Sequence, residues 1–222
     1  MSITCYFQGC IKKGETREHI PPKAFFPEDQ REQLLTVKSC REHNNEKSTD
    51  DEYILAHICL NSSPVNNSKE VFIRSVMPQL GYNEGAFRKK LIEGSIKHKD
   101  GTVSYKVDVR RFDDFFKALS CGIIYKSCGK SLPSEYSINH IYHNLIDNYM
   151  SNEEKMLTEM ISSFYEDIEE ADIMKFGHLK TLNSSIYSVK IYGLSDFQSS
   201  ITIIHEFYGQ FRVTSMLSRI FP

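Results

Sequence analysis

Residues that favour β-strands are concentrated near the carboxyl terminus of the chain. Three segments there, 186–192, 199–208 and 210–216, are rich in Ile, Val, Thr, Tyr and Phe. β-branched and aromatic side chains fit the pleated surface of a sheet, and closely spaced strands of this kind pair with antiparallel neighbours. The pattern therefore predicts a short antiparallel sheet at the end of the chain.

Apolar residues recur at helical spacing through the middle of the chain. Side chains three and four positions apart share one face of a helix, so this spacing predicts amphipathic helices. The predicted helices lie near residues 69–79, 83–96, 112–125, 139–149 and 153–167. Between the second and third of them, residues 99–102 form a turn signal, and the alternating residues 103–107 predict a small strand or hairpin.

A strand, a loop, a second strand and a helix are predicted in that order near the amino terminus. Pro21 and Pro22 lack backbone donors and favour extended geometry, so a strand should end at about Ile20 and give way to a loop. Residues 34–37 are a short apolar run that could return antiparallel to that strand. A helix is then predicted from residue 43 or 44 to about residue 60, where apolar side chains recur at helical spacing.

The polar, turn-rich stretch 61–68 predicts a domain boundary. It divides the chain into an amino-terminal domain, residues 1–60, and an extension, residues 61–222, whose role could be docking, sensing or substrate binding. With 222 residues and 40% hydrophobic content, the chain can bury a sizeable core. The predicted fold class is α+β, and no apolar run has the length that a membrane span needs.

The net charge of −2 does not by itself indicate a nucleic-acid-binding protein. Its distribution is uneven, because basic residues outnumber acidic ones between residues 88 and 130, while acidic residues dominate between 153 and 172. The basic middle could contact a phosphate backbone, where each neutralised phosphate adds salt-dependent affinity. A solvated helix surface explains the same lysines equally well, so both interpretations stay open.

Two pairs of metal-binding residues lie at close spacing in the first fifty residues. Cys5 and Cys10 have four residues between them, and Cys40 and His43 have two. Structural zinc is held tetrahedrally by four Cys or His ligands that usually arrive in two close pairs, because one turn of backbone can present each pair. The spacing therefore predicts a structural Zn²⁺ site. The alternative is a set of small buried thiols with an exposed histidine.

The remaining cysteines and histidines give no comparable signal. Cys59, Cys121 and Cys128 lie in apolar surroundings without partners at ligand spacing and are expected to be core thiols. His140 and His143 are three residues apart on a predicted helix, but no acidic or cysteine partner accompanies them, so a surface or core pair is expected. The amino terminus lacks the pattern of a secretory signal, which favours a reducing cytoplasmic location and thiolates free to bind metal.

Two motifs in the same region occur in a characteristic order. Glu18-His19-Ile20-Pro21-Pro22 is followed by Cys40-x-x-His43-Asn44-x-x-Lys47-Ser48, with the cysteine pair upstream of both. In this order they resemble the HNH endonucleases, also called His-Me finger or ββα-metal nucleases, over about residues 5–52. The resemblance implies a zinc-stabilised ββα-metal finger, followed here by a mostly helical body with the small carboxyl-terminal antiparallel sheet.

The resemblance also implies a role for each matching residue. His19 would be the general base that takes a proton from the water attacking a DNA phosphodiester, a role that suits imidazole because its pKa lies near neutrality. Glu18 and Asn44 would bind the catalytic divalent ion, Mg²⁺ or Mn²⁺. Lys23 and Lys47 would contact the nucleic acid.

The chain departs from the family pattern at three places. Where many relatives have Cys-x-x-Cys, this chain has Cys5-x-x-Gln8, so Cys10 must be the second ligand. Residues 31–35 contain no asparagine where the returning strand of the family often carries one. Glu18 replaces the commoner aspartate, and Asn45 beside Asn44 is an alternative carboxamide ligand for the catalytic ion.

The resemblance leaves several functional hypotheses open. The substrate would be DNA, with RNA also open, and double-strand cleavage would require a homodimer or sequential nicks because one finger cuts one strand. By analogy the chain could be the nuclease effector of a bacterial anti-phage defence system that works with an ATPase or sensor partner. The alternative is a zinc-finger-like module that binds nucleic acid without cleaving it. No membrane partner is expected.

Overall fold

The computed structural model describes residues 3–45, 48–62, 65–145, 152–166 and 183–220. Within these ranges, helices and small antiparallel sheets are both present. The α+β class predicted from the sequence is therefore confirmed at this level.

An antiparallel strand pair followed by helix occupies the amino-terminal region. The first strand, β1, is Thr16–His19, and β2 is Thr36–Ser39, with Glu18 opposite Val37 and His19 opposite Thr36. Helix α1 begins at Arg41, immediately after the pair, and ends at Asn45. Helix α2 covers Ser48–Asn61. The order agrees with the sequence prediction, although β2 lies two residues later than predicted and the helical region begins earlier.

The middle of the chain contains short helices followed by one long one. These elements are α3 Asn66–Val71, a π-helical turn Phe72–Val76, α4 Met77–Gly81, α5 Ala86–Ile92, the two-residue strands β3 Ile96–Lys97 and β4 Val103–Ser104, and α6 Val109–Cys128. The predicted helix 83–96 is shorter, because the chain leaves the helix before Gly94, whose φ of 70° is left-handed. The predicted strand 103–107 is reduced to two residues.

Four strands form the carboxyl-terminal sheet. They are β5 Tyr136–Tyr142, β6 Tyr187–Tyr192, β7 Ile201–Phe207 and β8 Phe211–Arg219, in the spatial order β5-β8-β7-β6. All neighbours are antiparallel, and the last three strands confirm the predicted sheet. Helix α7, Asn152–Glu166, lies between β5 and β6 in the chain and agrees with the predicted helix 153–167 over the described residues.

The predicted helix over 139–149 is wrong where the structure describes it. Residues 136–142 are extended and pair with β8 along their whole length, and residues 146–149 lie outside the described part of the chain. Pairing with β8 satisfies the backbone groups of both strands, and this long-range gain outweighs the local helical pattern. His140 consequently lies on a strand, with its Nδ1 atom 2.9 Å from Ser215 Oγ.

One hydrophobic cluster joins residues from both sides of the predicted domain boundary at residue 60. Phe25, from the loop after β1, stacks on Phe115 of α6 at 5.4 Å between ring centroids and lies equally close to Phe207 of β7. The hydroxyl group of Tyr208 donates a hydrogen bond to the Phe25 carbonyl at 2.9 Å. The loop between β1 and β2 is thus packed on α6 and the sheet. In the described ranges, no helix combines the length and apolar character needed to cross a membrane.

Candidate functional site

The four predicted zinc ligands converge in space. Their ligand atoms, from Cys5, Cys10, Cys40 and His43, all lie within 4.8 Å of one another, and we refer to them as the Cys/His cluster. The Nδ1 atom of His43 lies 3.2 Å from Cys40 Sγ and 3.5 Å from Cys5 Sγ. The Sγ atoms of Cys10 and Cys40 are 4.0 Å apart.

These separations fit a tetrahedral zinc ion. With Zn–S bonds of about 2.3 Å and Zn–N bonds of about 2.0–2.1 Å, tetrahedral angles place two sulfur ligands about 3.8 Å apart and sulfur and nitrogen about 3.5 Å apart. The three observed distances of 3.2, 3.5 and 4.0 Å lie close to these values. Three thiolates and one imidazole are also a ligand set that zinc commonly takes in structural sites. The Cys/His cluster could therefore hold a metal such as zinc.

Tight turns present the ligands of the cluster. The N–H group of Cys10 donates to the Phe7 carbonyl at 3.1 Å, and Gly9 supplies the left-handed conformation of this turn with a φ of 70°. On the other side, Cys40 directly follows β2, and His43 lies in the first turn of α1. The rings of Phe7 and His43 stack at 4.2 Å between centroids, which fixes the plane of the imidazole.

The electrostatics of the thiols favour a bound cation. Burial raises the pKa of Cys10 to about 11, and the neighbouring thiols of Cys5 and Cys40 add to the increase. Burial also acts to raise the pKa of Cys40, but the N–H group of His43 and the adjacent thiols stabilise its thiolate and leave that pKa below the usual value. Several thiolates at this spacing repel one another, and a divalent cation removes that repulsion.

Gln8 has a structural role that the sequence did not reveal. It lies three residues after Cys5, in the turn that presents Cys10. Its Nε2 atom donates to the carbonyl oxygens of Pro133 at 2.7 Å and Tyr136 at 2.8 Å. Gln8 therefore anchors the cysteine turn to the segment that leads into β5, while Cys10 completes the cluster.

His19 is the last residue of β1 and is partly buried. Burial lowers its pKa below the ordinary value, and the positive charges of Lys23 and Arg17 lower it further. The imidazole is therefore neutral near pH 7. Arg17 was not singled out from the sequence, although the two-residue period of a strand places it on the same face as His19.

Glu18 lies on the opposite face of β1 from His19. The buried hydroxyl group of Tyr6 donates to its Oε1 atom at 3.0 Å. Burial raises the pKa of Tyr6 well above its usual value, and the charge of Glu18 adds to that shift, so Tyr6 stays protonated as a donor. Ile20 shares this face and packs against α6, where a Cβ atom at Gly122 would come within 2.9 Å of its Cγ2 atom.

Two further predicted site residues lie on α1 and in the loop after β1. Asn44 is partly buried on α1, and α1 packs beside β1, the strand that carries Glu18 and His19. Lys23 is exposed at the start of a short 3₁₀ turn after the prolines. Lys47 lies outside the described residues. The choice between Asn44 and Asn45 stays open.

Comparison with known proteins gives no assignment. No protein-family model, curated protein or solved structure matches the chain. Any function must therefore be argued from the chemistry of the Cys/His cluster and of the residues around His19.

Proposed function

We propose that this chain is a metal-dependent HNH endonuclease that hydrolyses DNA phosphodiester bonds. The observation that carries the proposal is the placement of His19 at the end of β1, in a strand pair that a Cys₃His cluster ties to the following helix. This is the element order of a ββα-metal finger, with the base on a strand and the ion ligands on that strand and the helix. The amino-terminal residues 1–60 would form the finger.

His19 would act as the general base. Its neutral imidazole accepts a proton from water as the water oxygen bonds to phosphorus. The bond from phosphorus to the 3′ oxygen breaks, and the leaving 3′ oxygen takes up a proton from solvent. Arg17 and Lys23 bring two positive charges close to the imidazole, as their effect on its pKa indicates. These cations would hold the phosphodiester beside the base and disfavour the protonated, inactive form of His19.

Glu18 and Asn44 offer the oxygen ligands that a hard divalent cation prefers. Bound Mg²⁺ or Mn²⁺ would supply positive charge to offset the negative charge that develops on the phosphate in the transition state. The carboxylate and the carboxamide come from neighbouring elements, since α1 packs beside β1. A carboxylate with a carboxamide is a donor set of the kind that such an ion takes in proteins.

The zinc ion would have a separate, structural role. The Cys/His cluster joins the turn before β1, the end of β2 and the first turn of α1. It would therefore fix the strand pair against the helix and set the relative position of His19 and Asn44. The extension, residues 61–222, would dock or sense a partner, such as an ATPase or sensor in an anti-phage system.

One observation also fits a second function. Glu18 accepts a hydrogen bond from the buried Tyr6, an arrangement that a purely structural carboxylate would share. In that case the chain would be a zinc-finger-like module that binds nucleic acid without cleaving it.

Nicking of supercoiled plasmid separates these two functions. We expect wild-type protein to nick the plasmid with Mg²⁺ or Mn²⁺ and the His19→Ala variant to lose this activity. Equal nicking by both proteins would contradict the proposed role of His19. Binding without nicking by well-folded, zinc-containing wild-type protein would favour the second function.

A further inference from the structure

Tyr6 connects the Cys/His cluster to Glu18. It follows the ligand Cys5 directly in the chain, and its N–H group donates to the Lys38 carbonyl of β2 at 2.9 Å. Its hydroxyl group donates to Glu18 Oε1 at 3.0 Å. One residue thus bonds to both strands of the pair and is adjacent to a ligand of the cluster.

The position of the Tyr6 hydroxyl group is fixed by packing. The side chain is fully buried, and its ring lies edge-on to Phe7 at 6.2 Å between centroids. On another side it meets α6, where a Cβ atom at Gly122 would lie only 3.5 Å from Tyr6 Cε2. An enclosed ring of this kind holds its hydroxyl group in one place, so the carboxylate that accepts from it is held as well.

We infer that Tyr6 is a positioning residue that orients Glu18 for the catalytic divalent ion. This inference rests on the proposed function. Carboxylates that bind metals are commonly held by a hydrogen bond to one oxygen, and loss of such a partner typically costs about 10–100-fold in metal affinity or activity.

The Tyr6→Phe variant tests the hydrogen bond directly. It removes the hydroxyl group and keeps the ring that packs against α6. Mn²⁺ binding is measured without DNA, by electron paramagnetic resonance of the free ion, together with zinc content. We expect the Mn²⁺ dissociation constant to increase about 10–100-fold while zinc content stays at the wild-type level.

A matched control is present in the sheet. The Tyr142 hydroxyl group donates to Asp113 Oδ1 at 2.7 Å, so Tyr142→Phe removes the same kind of bond outside the site. We expect this variant to bind Mn²⁺ with wild-type affinity. A comparable loss of Mn²⁺ affinity in Tyr6→Phe and Tyr142→Phe would overturn the inference, because it would show a general effect on stability.

The Glu18→Asp variant gives a second test that leaves Tyr6 intact. It keeps the carboxylate, but the side chain is one methylene group shorter, so the carboxylate lies further from the Tyr6 hydroxyl group. We expect weaker Mn²⁺ binding, and we expect Tyr6→Phe to have little further effect in this background. If Tyr6→Phe lowered Mn²⁺ affinity in the Glu18→Asp background as much as it does in the wild-type protein, Tyr6 would act independently of Glu18. That result would overturn the inference.

The outcomes distinguish the inference from the function on which it rests. Wild-type affinity for Mn²⁺ in Tyr6→Phe, with nicking that depends on His19, would overturn the inference alone. Loss of zinc together with Mn²⁺ in Tyr6→Phe would also overturn it, because the residue would then be structural. A wild-type protein that neither binds Mn²⁺ nor nicks DNA would overturn both.

Discussion

The Sγ atom of Cys40 lies 3.2 Å from Nδ1 of His43, three residues further along the chain. Cys40 lies between β2 and α1, and His43 is in the first turn of α1. A shared metal at this point would connect the strand pair to the helix. Cys5 and Cys10 would complete the ligand set from a segment that bonds to β2 through the Tyr6 N–H group and the Lys38 carbonyl.

We expect the purified protein to contain about one zinc ion per chain, by elemental analysis. The Cys40→Ala variant should lose the ion, and a loss of on the order of 3 kcal/mol would lower the melting temperature by about 6–12 °C. His19→Ala should keep both zinc and stability, because His19 does not belong to the cluster. Cys59→Ala, a control at a buried thiol outside the cluster, should also keep zinc.

Two results would contradict the zinc assignment. One is a wild-type protein that is well folded but contains no zinc. The other is an equal melting temperature for Cys40→Ala and His19→Ala.

Gln8 is predicted to contribute to stability without contributing to metal binding. The Gln8→Ala variant loses two hydrogen bonds and leaves the Pro133 and Tyr136 carbonyl groups without their donor. We expect a decrease of about 1–3 kcal/mol in the free energy of unfolding by urea, with unchanged zinc content. Gln198→Ala, at an exposed glutamine, is the control and should change stability little. Zinc loss in Gln8→Ala would show that the anchor is needed to form the cluster.

His205 is predicted to make the protein less stable in mild acid. Burial, and secondarily the nearby His140, lowers its pKa to about 3 in the folded state, whereas the unfolded value is about 6.5. Between these values the unfolded state binds more protons, so stability increases with pH and is lost as the pH falls. One such group contributes a slope of up to about 1.4 kcal/mol per pH unit.

Urea unfolding between pH 4.5 and 7 measures this slope. Other groups also titrate in that range, so the comparison is with His205→Gln, in which Ser120 and Tyr187 can still find a hydrogen-bonding partner. We expect a smaller slope in the variant. Identical slopes would show that His205 is not the group responsible.

Arg17 and Lys23 are predicted to bind the phosphate backbone beside His19. If each neutralises one phosphate of duplex DNA, its replacement by alanine lowers affinity and reduces the slope of log K against log salt by about 0.9. Fluorescence anisotropy with a DNA duplex over a range of salt concentrations measures this. Lys190→Ala, at an exposed lysine of β6, is the control. An unchanged slope in Arg17→Ala and Lys23→Ala would place the DNA elsewhere on the surface.

The sequence predicted the contacts that depend on short stretches of chain. Cys40 and His43 are presented by one turn, and their spacing alone indicated that they would meet. The three strands near the carboxyl terminus were likewise predicted from local composition. Strand β5 was missed, because its conformation depends on pairing with β8, whose residues lie 71 to 83 positions later in the chain. The local sequence of a strand does not indicate a pairing partner that is distant in the chain.

The same limit applies to the residues around the site. Gln8 and Tyr6 are ordinary polar and aromatic residues in the sequence, and their roles come from carbonyl groups and a carboxylate that folding brings to them. Arg17 could have been found from the alternation of β1, since it shares a face with His19.

The most direct test of the account is plasmid nicking by zinc-containing wild-type, His19→Ala and His98→Ala proteins. His98 is an exposed histidine in the turn between β3 and β4 and serves as the matched control. The account predicts Mg²⁺- or Mn²⁺-dependent nicking by wild type and His98→Ala and its loss in His19→Ala. Nicking by His19→Ala at the wild-type rate would contradict it.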